Sequence, residues 1–369
     1  MAGENDLSRR AWLGAATAGA SMVILPVTGA DAATGTHAST HVRLNLNENA
    51  FGPSPKVGQA ILAHVQGIER YVEQTEVDAL IAQIAAHERV RADQVVIGEM
   101  LEPLGLYLAT QYGGGEIVYS TPGYTALVDS GAPLGASGTA VPLNARLEND
   151  LPALARAIGD RTIAVNLVNP HNPSGTVNER AELDAFIRRV ARLALVVVDE
   201  AYLEYDDLQG RSAVRHVRED ANVLVFRTLA KIYGLAGLSI GYALAPTPLA
   251  DGLRKMGIGG PHSLNRLAIV AATAALTDQG HVRWVRETIL SERARVTAVL
   301  DRLGLGHSDS RANFIFFRSE RVADFRARFA AAGISIGRPF PPLDEWVRIT
   351  IGTPPENDAV IRVLESFKG

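Results

Sequence analysis

The sequence predicts an α/β protein with two parts: a large domain on a mostly parallel sheet that helices cover on both faces, and a smaller α+β domain. The chain has 369 residues, which is enough for two domains of about 150 residues each. In its central part short apolar runs alternate with helical patterns, as is typical of parallel strands buried on both faces. Beyond Pro261 long helices are separated by single strands, and this change of pattern predicts the second domain.

Apolar patterns define the individual elements. Recurrence of Val77, Leu80, Ile81 and Ile84 at three- and four-residue spacing predicts a helix over 77–89. Continuous apolar runs, with one helical pattern among them, predict strands at Val95–Ile97, Ile117–Tyr119, Ile163–Val168, Leu195–Val198, Val223–Phe226 and Ile240–Leu244, and a helix at Glu179–Leu193. The second domain is predicted to contain a helix at His281–Leu303, a strand at Asn313–Phe317, a helix at Val322–Ala331, a strand at Trp346–Ile351 and a final helix.

The first 32 residues have the pattern of an export signal. Arg9 and Arg10 stand directly before the uncharged stretch 11–30, and the small residues Ala30 and Ala32 suit a cleavage site. Because that stretch is poor in Leu and Ile, we expect no stable membrane span in the mature form. The arginine pair predicts a signal of the twin-arginine type and a periplasmic protein. A cytoplasmic protein or an uncleaved anchor is the alternative.

Composition excludes several kinds of partner and site. The formal net charge is −4 at pH 7, so we expect no binding of nucleic acid, which requires a positive field. The chain contains no cysteine, which excludes disulfides, thiolate metal sites and cysteine nucleophiles. We predict no metal site.

Four polar features along the predicted sheet have the residue types of an active site: the motif 169–175, Asp199, Lys231 and Arg348. Each has an ordinary structural alternative, namely a turn, a helix cap, a surface lysine and an exposed strand face. Asp199, however, ends a buried apolar run, and open α/β sheets bind ligands at the carboxyl ends of their strands. Together the features fit pyridoxal phosphate, which requires a lysine for its Schiff base and a carboxylate for its ring nitrogen.

Five motifs follow one another along most of the chain. They are Leu44–Pro53 (LNLNENAFGP), Asn169–Gly175 (NPHNPSG), Asp199–Tyr202 (DEAY), Arg227–Tyr242 (RTLAKIYGLAGLSIGY) and Arg348–Asn357 (RITIGTPPEN). In this order they resemble the motifs of fold-type I pyridoxal-phosphate aminotransferases, and among these the histidinol-phosphate aminotransferase-like branch. After the export signal at 1–32, the resemblance implies an N-terminal segment at 33–75 for the small domain and dimer interface, a large cofactor domain at 76–262 and a small domain at 263–369.

The resemblance also implies a role for each matching residue. Lys231 would form the aldimine with the cofactor and move a proton, and Asp199 would pair with the ring nitrogen. Asn172 and Tyr202 would hydrogen-bond the phenolic oxygen. Tyr124 would stack on the ring, unless it is simply a core tyrosine.

Further roles concern the substrate and the cofactor phosphate. The resemblance implies that Arg348 binds the substrate α-carboxylate and that Asn313 lies beside it. Tyr71 would reach the phosphate of a neighbouring subunit, which implies a homodimer. Thr228 and backbone N–H groups near Met100 and Leu101, at a helix start, are the remaining contacts for the phosphate.

The sequence departs from the family pattern at the phosphate. Ala230 stands where the family has a serine before the lysine, and Ser239 stands where it has an arginine. The loop 98–103 (GEMLEP) brings carboxylates where the family has glycine and serine. Arg266 or Arg254 could replace the missing cation.

The implied function is that of a class I/II-like aminotransferase, which moves an amino group between an amino acid or amine and a 2-oxo acid. Two alternatives remain open: a lyase, racemase or decarboxylase with the same cofactor, and an exported binding protein without catalysis. Histidine biosynthesis is disfavoured, because histidinol phosphate is a cytosolic intermediate and the predicted signal directs the chain elsewhere.

Overall fold

A seven-stranded sheet lies at the centre of the structure, a computed structural model that describes residues 41–367. Its strands are β2 (Val95–Ile97), β3 (Gly115–Thr121), β4 (Ala136–Pro142), β5 (Thr162–Val168), β6 (Leu195–Asp199), β7 (Val223–Thr228) and β8 (Gly241–Leu244). The spatial order is β2-β8-β7-β6-β5-β3-β4. Strands β3 to β7 pair in parallel, whereas β8 runs antiparallel to both of its neighbours. The mostly parallel sheet predicted from the sequence is confirmed.

Burial on both faces explains why the central strands are continuous apolar runs. All five residues of β6 are buried. Val196 and Val198 pack into the apolar cluster on one face of the sheet, whereas Leu195 and Val197 pack into the cluster on the other. This alternation follows from the two-residue period of a strand.

Helices cover the sheet, and capping and amphipathic patterns explain them. Helix α6, for example, begins where the Glu179 side chain accepts a hydrogen bond from the N–H of Glu182, and it buries Leu183, Phe186 and Val190. The helices are α1 (Pro55–His64), α2 (Gln74–Glu88), α3 (Leu101–Tyr112), α4 (Ala126–Gly131), α5 (Leu151–Ala157), α6 (Arg180–Val190), α7 (Leu208–Arg211), α8 (Val214–Arg218), α9 (Thr247–Lys255), α10 (Arg266–Thr277), α11 (Gln279–Arg302), α12 (Val322–Ala331) and α13 (Pro354–Glu365).

Two small sheets lie outside the central one. Strand β9 (Phe314–Arg318) pairs antiparallel with β11 (Trp346–Thr350), and β1 (Val42–Leu44) pairs parallel with β10 (Ile334–Ile336). The sequence patterns missed β1 and β10, which have three residues each, and the edge strand β4. Most side chains of β4 are not buried, so that strand has no apolar run.

The described residues belong to one compact unit, so the division after residue 262 remains a prediction. The predicted export signal at 1–32 lies outside the described residues. No helix within residues 41–367 combines the length and apolar character that a bilayer crossing requires.

The loop after β7 approaches the N-terminal segment closely at Gly234. Its φ is 73°, and a Cβ there would lie 2.6 Å from backbone atoms of Gly52 and Pro53. We expect Gly234→Ala to lower the free energy of unfolding by about 2 kcal/mol or more, because a side chain opposes both the left-handed backbone and the close contact. Urea denaturation measures the loss. Gly237→Ala is the matched control, since its Cβ would meet nothing within 4 Å; equal losses would contradict the explanation.

Candidate active site

A cavity of about 350 Å³ opens at the carboxyl ends of the central strands. Asp199 ends β6, Thr228 ends β7, and the loops after β5 and β7 carry Asn172 and Lys231. The sheet topology thus brings together residues that are far apart in the sequence. The cavity is lined by Leu46, Asn47, Glu99, Gly123, Tyr124, Asn172, Asp199, Ala201, Tyr202, Phe226, Thr228, Ala230, Lys231, Arg338, Phe340 and Arg348.

Asp199 is a buried carboxylate without an ion pair in the described chain. Its side chain is 3% exposed, and its Oδ1 accepts a hydrogen bond from the N–H of Ala201 at 3.0 Å. Burial raises the pKa of Asp199 to about 6, although the Ala201 N–H and the charge of Lys231 act against the rise. A protonated ring nitrogen would supply the missing positive partner.

Lys231 and Tyr202 are held by the segment that follows β1. The Lys231 Nζ donates to the carbonyl oxygen of Leu46 at 3.3 Å and lies 5.7 Å from the centre of the Tyr202 ring. The Tyr202 hydroxyl accepts a hydrogen bond from Asn47 Nδ2 at 3.0 Å, and its ring packs edge-on against Phe314. Both groups therefore reach the cavity in fixed positions.

Arg348 is a buried cation that forms no ion pair within residues 41–367. It is 6% exposed, and it donates from Nη1 to Asn172 Oδ1 at 2.5 Å and from Nη2 to the carbonyl of Asn45 at 2.7 Å. Its Nε has no hydrogen-bond partner in the described chain. Burial lowers the pKa of Arg348 to about 10; Tyr202 acts against this decrease and nearby Arg338 contributes to it. An anion in the cavity would accept hydrogen bonds from Nη1 and Nη2, each of which carries a second N–H group, and would neutralise the charge.

These residues fit the ring end of pyridoxal phosphate. The cavity combines a lysine amine, a buried carboxylate that lacks a cation, and a hydroxyl and an amide at its wall. These are the groups that the cofactor's aldehyde, ring nitrogen and phenolic oxygen require.

Comparison with protein families agrees with this geometry. Residues 39–364 match the family described as aminotransferase class I and II. The chain belongs to this family. It is accordingly a pyridoxal-phosphate-dependent aminotransferase that acts on an amino donor and a 2-oxo acid.

Individual relatives of this aminotransferase match over most of their length. It is 36% identical to an aromatic amino acid aminotransferase of Streptomyces avermitilis, over 88% of this chain and 90% of the relative. It is also 36% identical to histidinol-phosphate aminotransferase 1 of Dechloromonas aromatica, over 88% of this chain and 89% of the relative. The solved histidinol-phosphate aminotransferase of Sinorhizobium meliloti, in complex with pyridoxal-5'-phosphate, superposes with a TM-score of 0.80 at 28% identity, covering 88% and 91% of the two chains.

The aminotransferase's loop before α3 contributes an acid to the cavity. Glu99 lines it, and burial together with the charge of Glu102 raises the pKa of Glu99, whereas Lys231 lowers it. Arg266 binds Glu76 and backbone carbonyls, and Arg254 binds Asp251 and backbone carbonyls. Neither arginine lines the cavity, so neither takes the place of the phosphate-binding arginine that the family pattern has at residue 239.

Five other predicted residues differ in how they are placed relative to the cavity. Tyr124 lines the cavity and is 45% exposed; burial of its hydroxyl and nearby carboxylates raise the pKa of Tyr124 to about 12. Met100 and Leu101 pack their side chains into the core, which leaves only backbone groups for the cofactor. Asn313 lies behind the cavity and donates to the carbonyls of residues 47 and 48. Tyr71 is 80% exposed and does not line this cavity.

Sequence reasoning missed several residues of the site. Asn47 lies in the first family motif, but nothing in its neighbourhood indicated that it would contact Tyr202. Arg338 and Phe340 lie in an irregular segment between β10 and β11, where no periodic pattern exists. The Arg338 guanidinium lies 4.7 Å from the Phe340 ring centre, so a second cation stands near Arg348.

The raised pKa of Asp199 predicts a conflict between stability and function. The folded pKa of about 6 exceeds the ordinary aspartate value of 3.8, so the folded state holds this proton more tightly than the unfolded chain. The contribution of protonated Asp199 to the free energy of unfolding is therefore fully present below about pH 4, and it is lost as the pH rises through 6. We expect cofactor-free Asp199→Asn to be about 2 kcal/mol more stable than the wild type at pH 7.5, and inactive with cofactor.

Urea denaturation at pH 4.5 and pH 7.5 measures this difference. The stability gain should shrink at the lower pH, where Asp199 is protonated in the folded state. Asp344→Asn, at an exposed acid outside the cavity, is the control and should change neither the stability nor the activity. A less stable Asp199→Asn protein at pH 7.5 would contradict the assignment of the raised pKa.

Proposed function

We propose that this aminotransferase takes amino acids with aromatic side chains as donors and that Arg348 binds their α-carboxylate. The observation that carries the proposal is the buried guanidinium of Arg348, which lines the cavity that also holds Lys231 and Asp199 and forms no ion pair within residues 41–367. The planar guanidinium matches a carboxylate in geometry and charge. The α-carboxylate is common to amino acids and 2-oxo acids, so one arginine serves both substrates.

The walls of the cavity support an aromatic donor. Tyr124, Phe226 and Phe340 line it, and aromatic rings pack favourably against one another. The Streptomyces avermitilis relative carries the name of an aromatic amino acid aminotransferase. Arg338, the second cation at the cavity, suits the distal carboxylate of a dicarboxylic 2-oxo acid as acceptor.

The side chains then have the following roles. When bound, pyridoxal phosphate supplies an aldehyde that captures amines and a ring that withdraws electrons. Asp199 holds a proton at the ring nitrogen, and Asn172 and Tyr202 orient the ring by hydrogen bonds to its phenolic oxygen. Lys231 Nζ would take up the proton that leaves the substrate Cα. Arg348 fixes the substrate so that its Cα–H bond points at Lys231.

Arg348→Ala tests the carboxylate role. We expect kcat/KM for phenylalanine to fall by about 10²-fold or more, because the charged hydrogen bonds to the carboxylate are lost. Phenethylamine lacks the carboxylate and is the matched substrate, so its turnover should change by less than about threefold. Steady-state kinetics of both donors measure the contrast. Equal losses for both donors would show that Arg348 acts on something other than the carboxylate.

A donor panel with one common acceptor tests the aromatic preference. We expect phenylalanine, tyrosine and tryptophan to exceed alanine and aspartate in kcat/KM by about tenfold or more. Histidinol phosphate belongs in the panel because of the Dechloromonas aromatica relative. Its preference over the aromatic amino acids would overturn the proposal.

We further propose that the chain is exported in its folded state by residues 1–32. The paired arginines before an uncharged stretch support this proposal. Fused to a reporter that is exported only when already folded, residues 1–40 should direct it to the periplasm. Arg9→Lys together with Arg10→Lys should retain it in the cytoplasm, and unchanged export of that variant would contradict the proposal.

We also propose a homodimer, in which Tyr71 of one subunit approaches the cofactor phosphate of the other. The 80% exposure of Tyr71 supports this, because most of its side chain is open to a partner even though its ring contacts His262 edge-on. Light scattering of the holoenzyme measures the subunit number, and a monomer would overturn the proposal.

A further inference from the structure

A second cavity, of about 650 Å³, has no lining residue in common with the active site. It lies between the end of α2, the start of α6, α8 and the first half of α11. Seven arginines line it, against three carboxylates. The whole chain carries a net charge of −4, so this concentration of positive charge is not a general property of the protein. We call it the arginine cavity.

Four of these arginines have no partner of their own. The guanidinium groups of Arg89, Arg180, Arg283 and Arg286 make no hydrogen bond or ion pair within residues 41–367. They come from three different helix regions, so they are brought together by the tertiary fold and are not neighbours in one stretch of sequence. Cations brought together without anions repel one another, and an anionic ligand removes that repulsion.

Two other arginines of the cavity, in contrast, already have hydrogen-bond partners. Arg215 binds Asp184 and the carbonyl of Ser212, and Arg218 donates to the carbonyls of Glu88 and Arg89. Apart from the buried Nε of Arg227, the donors without a partner in the cavity therefore belong mainly to the four unpaired arginines.

Buried acids at the floor of the arginine cavity confine an anion to its mouth. Arg227 is 1% exposed and contacts Glu200 at 3.0 Å and Glu204 at 3.3 Å. Glu88 also lies near it, and accepts a hydrogen bond from the Tyr242 hydroxyl at 2.6 Å. The carboxylates outnumber this arginine, so a further anion at the floor would be repelled.

We propose that the arginine cavity binds a small polyanion, a molecule with two or more phosphate or carboxylate groups, through Arg89, Arg180, Arg283 and Arg286. Guanidinium groups hold both kinds of anion by paired hydrogen bonds. The cavity volume lies within the range of small-molecule sites, and a recess of this kind excludes a folded partner from its interior. The proposal does not depend on the identity of the amino donor.

Calorimetric titration of the holoenzyme tests the proposal, with inorganic triphosphate and citrate as the two probes. Pyridoxal phosphate then fills its own site. We expect at least one probe to bind, and Arg283→Ala with Arg286→Ala to weaken it by about tenfold or more. Both arginines lie on α11 without partners, so the variant should unfold at the wild-type temperature. Arg180→Gln, on another helix, should also weaken binding.

Two controls distinguish this cavity from other cationic surfaces. Arg156→Ala with Arg192→Ala removes two exposed arginines elsewhere and should leave the affinity unchanged. Arg338→Ala should also leave it unchanged, because that arginine lines the active site. Triphosphate binding alone identifies a phosphate ligand, and citrate binding alone a carboxylate ligand. The proposal is overturned if neither probe binds, if the Arg283/Arg286 variant binds like the wild type, or if only Arg338→Ala loses binding.

Discussion

The segment Asn45–Asn49 holds together the groups on which the chemistry depends. Its carbonyl oxygens at Asn45 and Leu46 accept hydrogen bonds from Arg348 and Lys231. Asn47 donates to the Tyr202 hydroxyl, and its backbone N–H binds Thr350 on the same strand as Arg348. One short stretch of chain thus connects the end of the central sheet to the small β9–β11 sheet. The relative positions of lysine, tyrosine and arginine depend on these contacts.

Buried charges without partners distinguish the active site from the rest of the core. Asp199 lacks a cation and Arg348 has a free Nε, whereas Arg227 is surrounded by Glu88, Glu200 and Glu204. A buried charge without a counter-charge costs stability, so each free group lowers stability until a ligand neutralises it. The cofactor ring and the substrate carboxylate supply these missing charges, which makes the same features costly in the empty protein and useful in the loaded one.

The phosphate end of the cavity differs in kind from the ring end. Ala230 and Ser239 stand where the resemblance implies a hydroxyl and a cation, and Glu99 in the cavity adds an acid whose pKa is raised by burial and by Glu102. Arg254 and Arg266 are already engaged with other acceptors. That the phosphate is held by Thr228 and by backbone N–H groups therefore stays a prediction from the family resemblance. The sequence thus departs from the family pattern at the expected phosphate contacts, which affect how tightly the cofactor is held. It does not depart at the expected ring contacts, which affect reactivity.

The sequence by itself determined the fold class, the central strands and the residues at their carboxyl ends. Asp199 could be predicted because it ends a buried apolar run and open α/β sheets bind ligands at the carboxyl ends of their strands. Asn172 and Lys231 were identified by the resemblance of their motifs to those of the aminotransferase family. Tertiary structure alone decided that Asn47, Arg338 and Phe340 join them, that Asn313 lies behind the cavity, and that Arg266 and Arg254 face elsewhere. These positions depend on loop paths and long-range packing, which leave no periodic pattern in the chain.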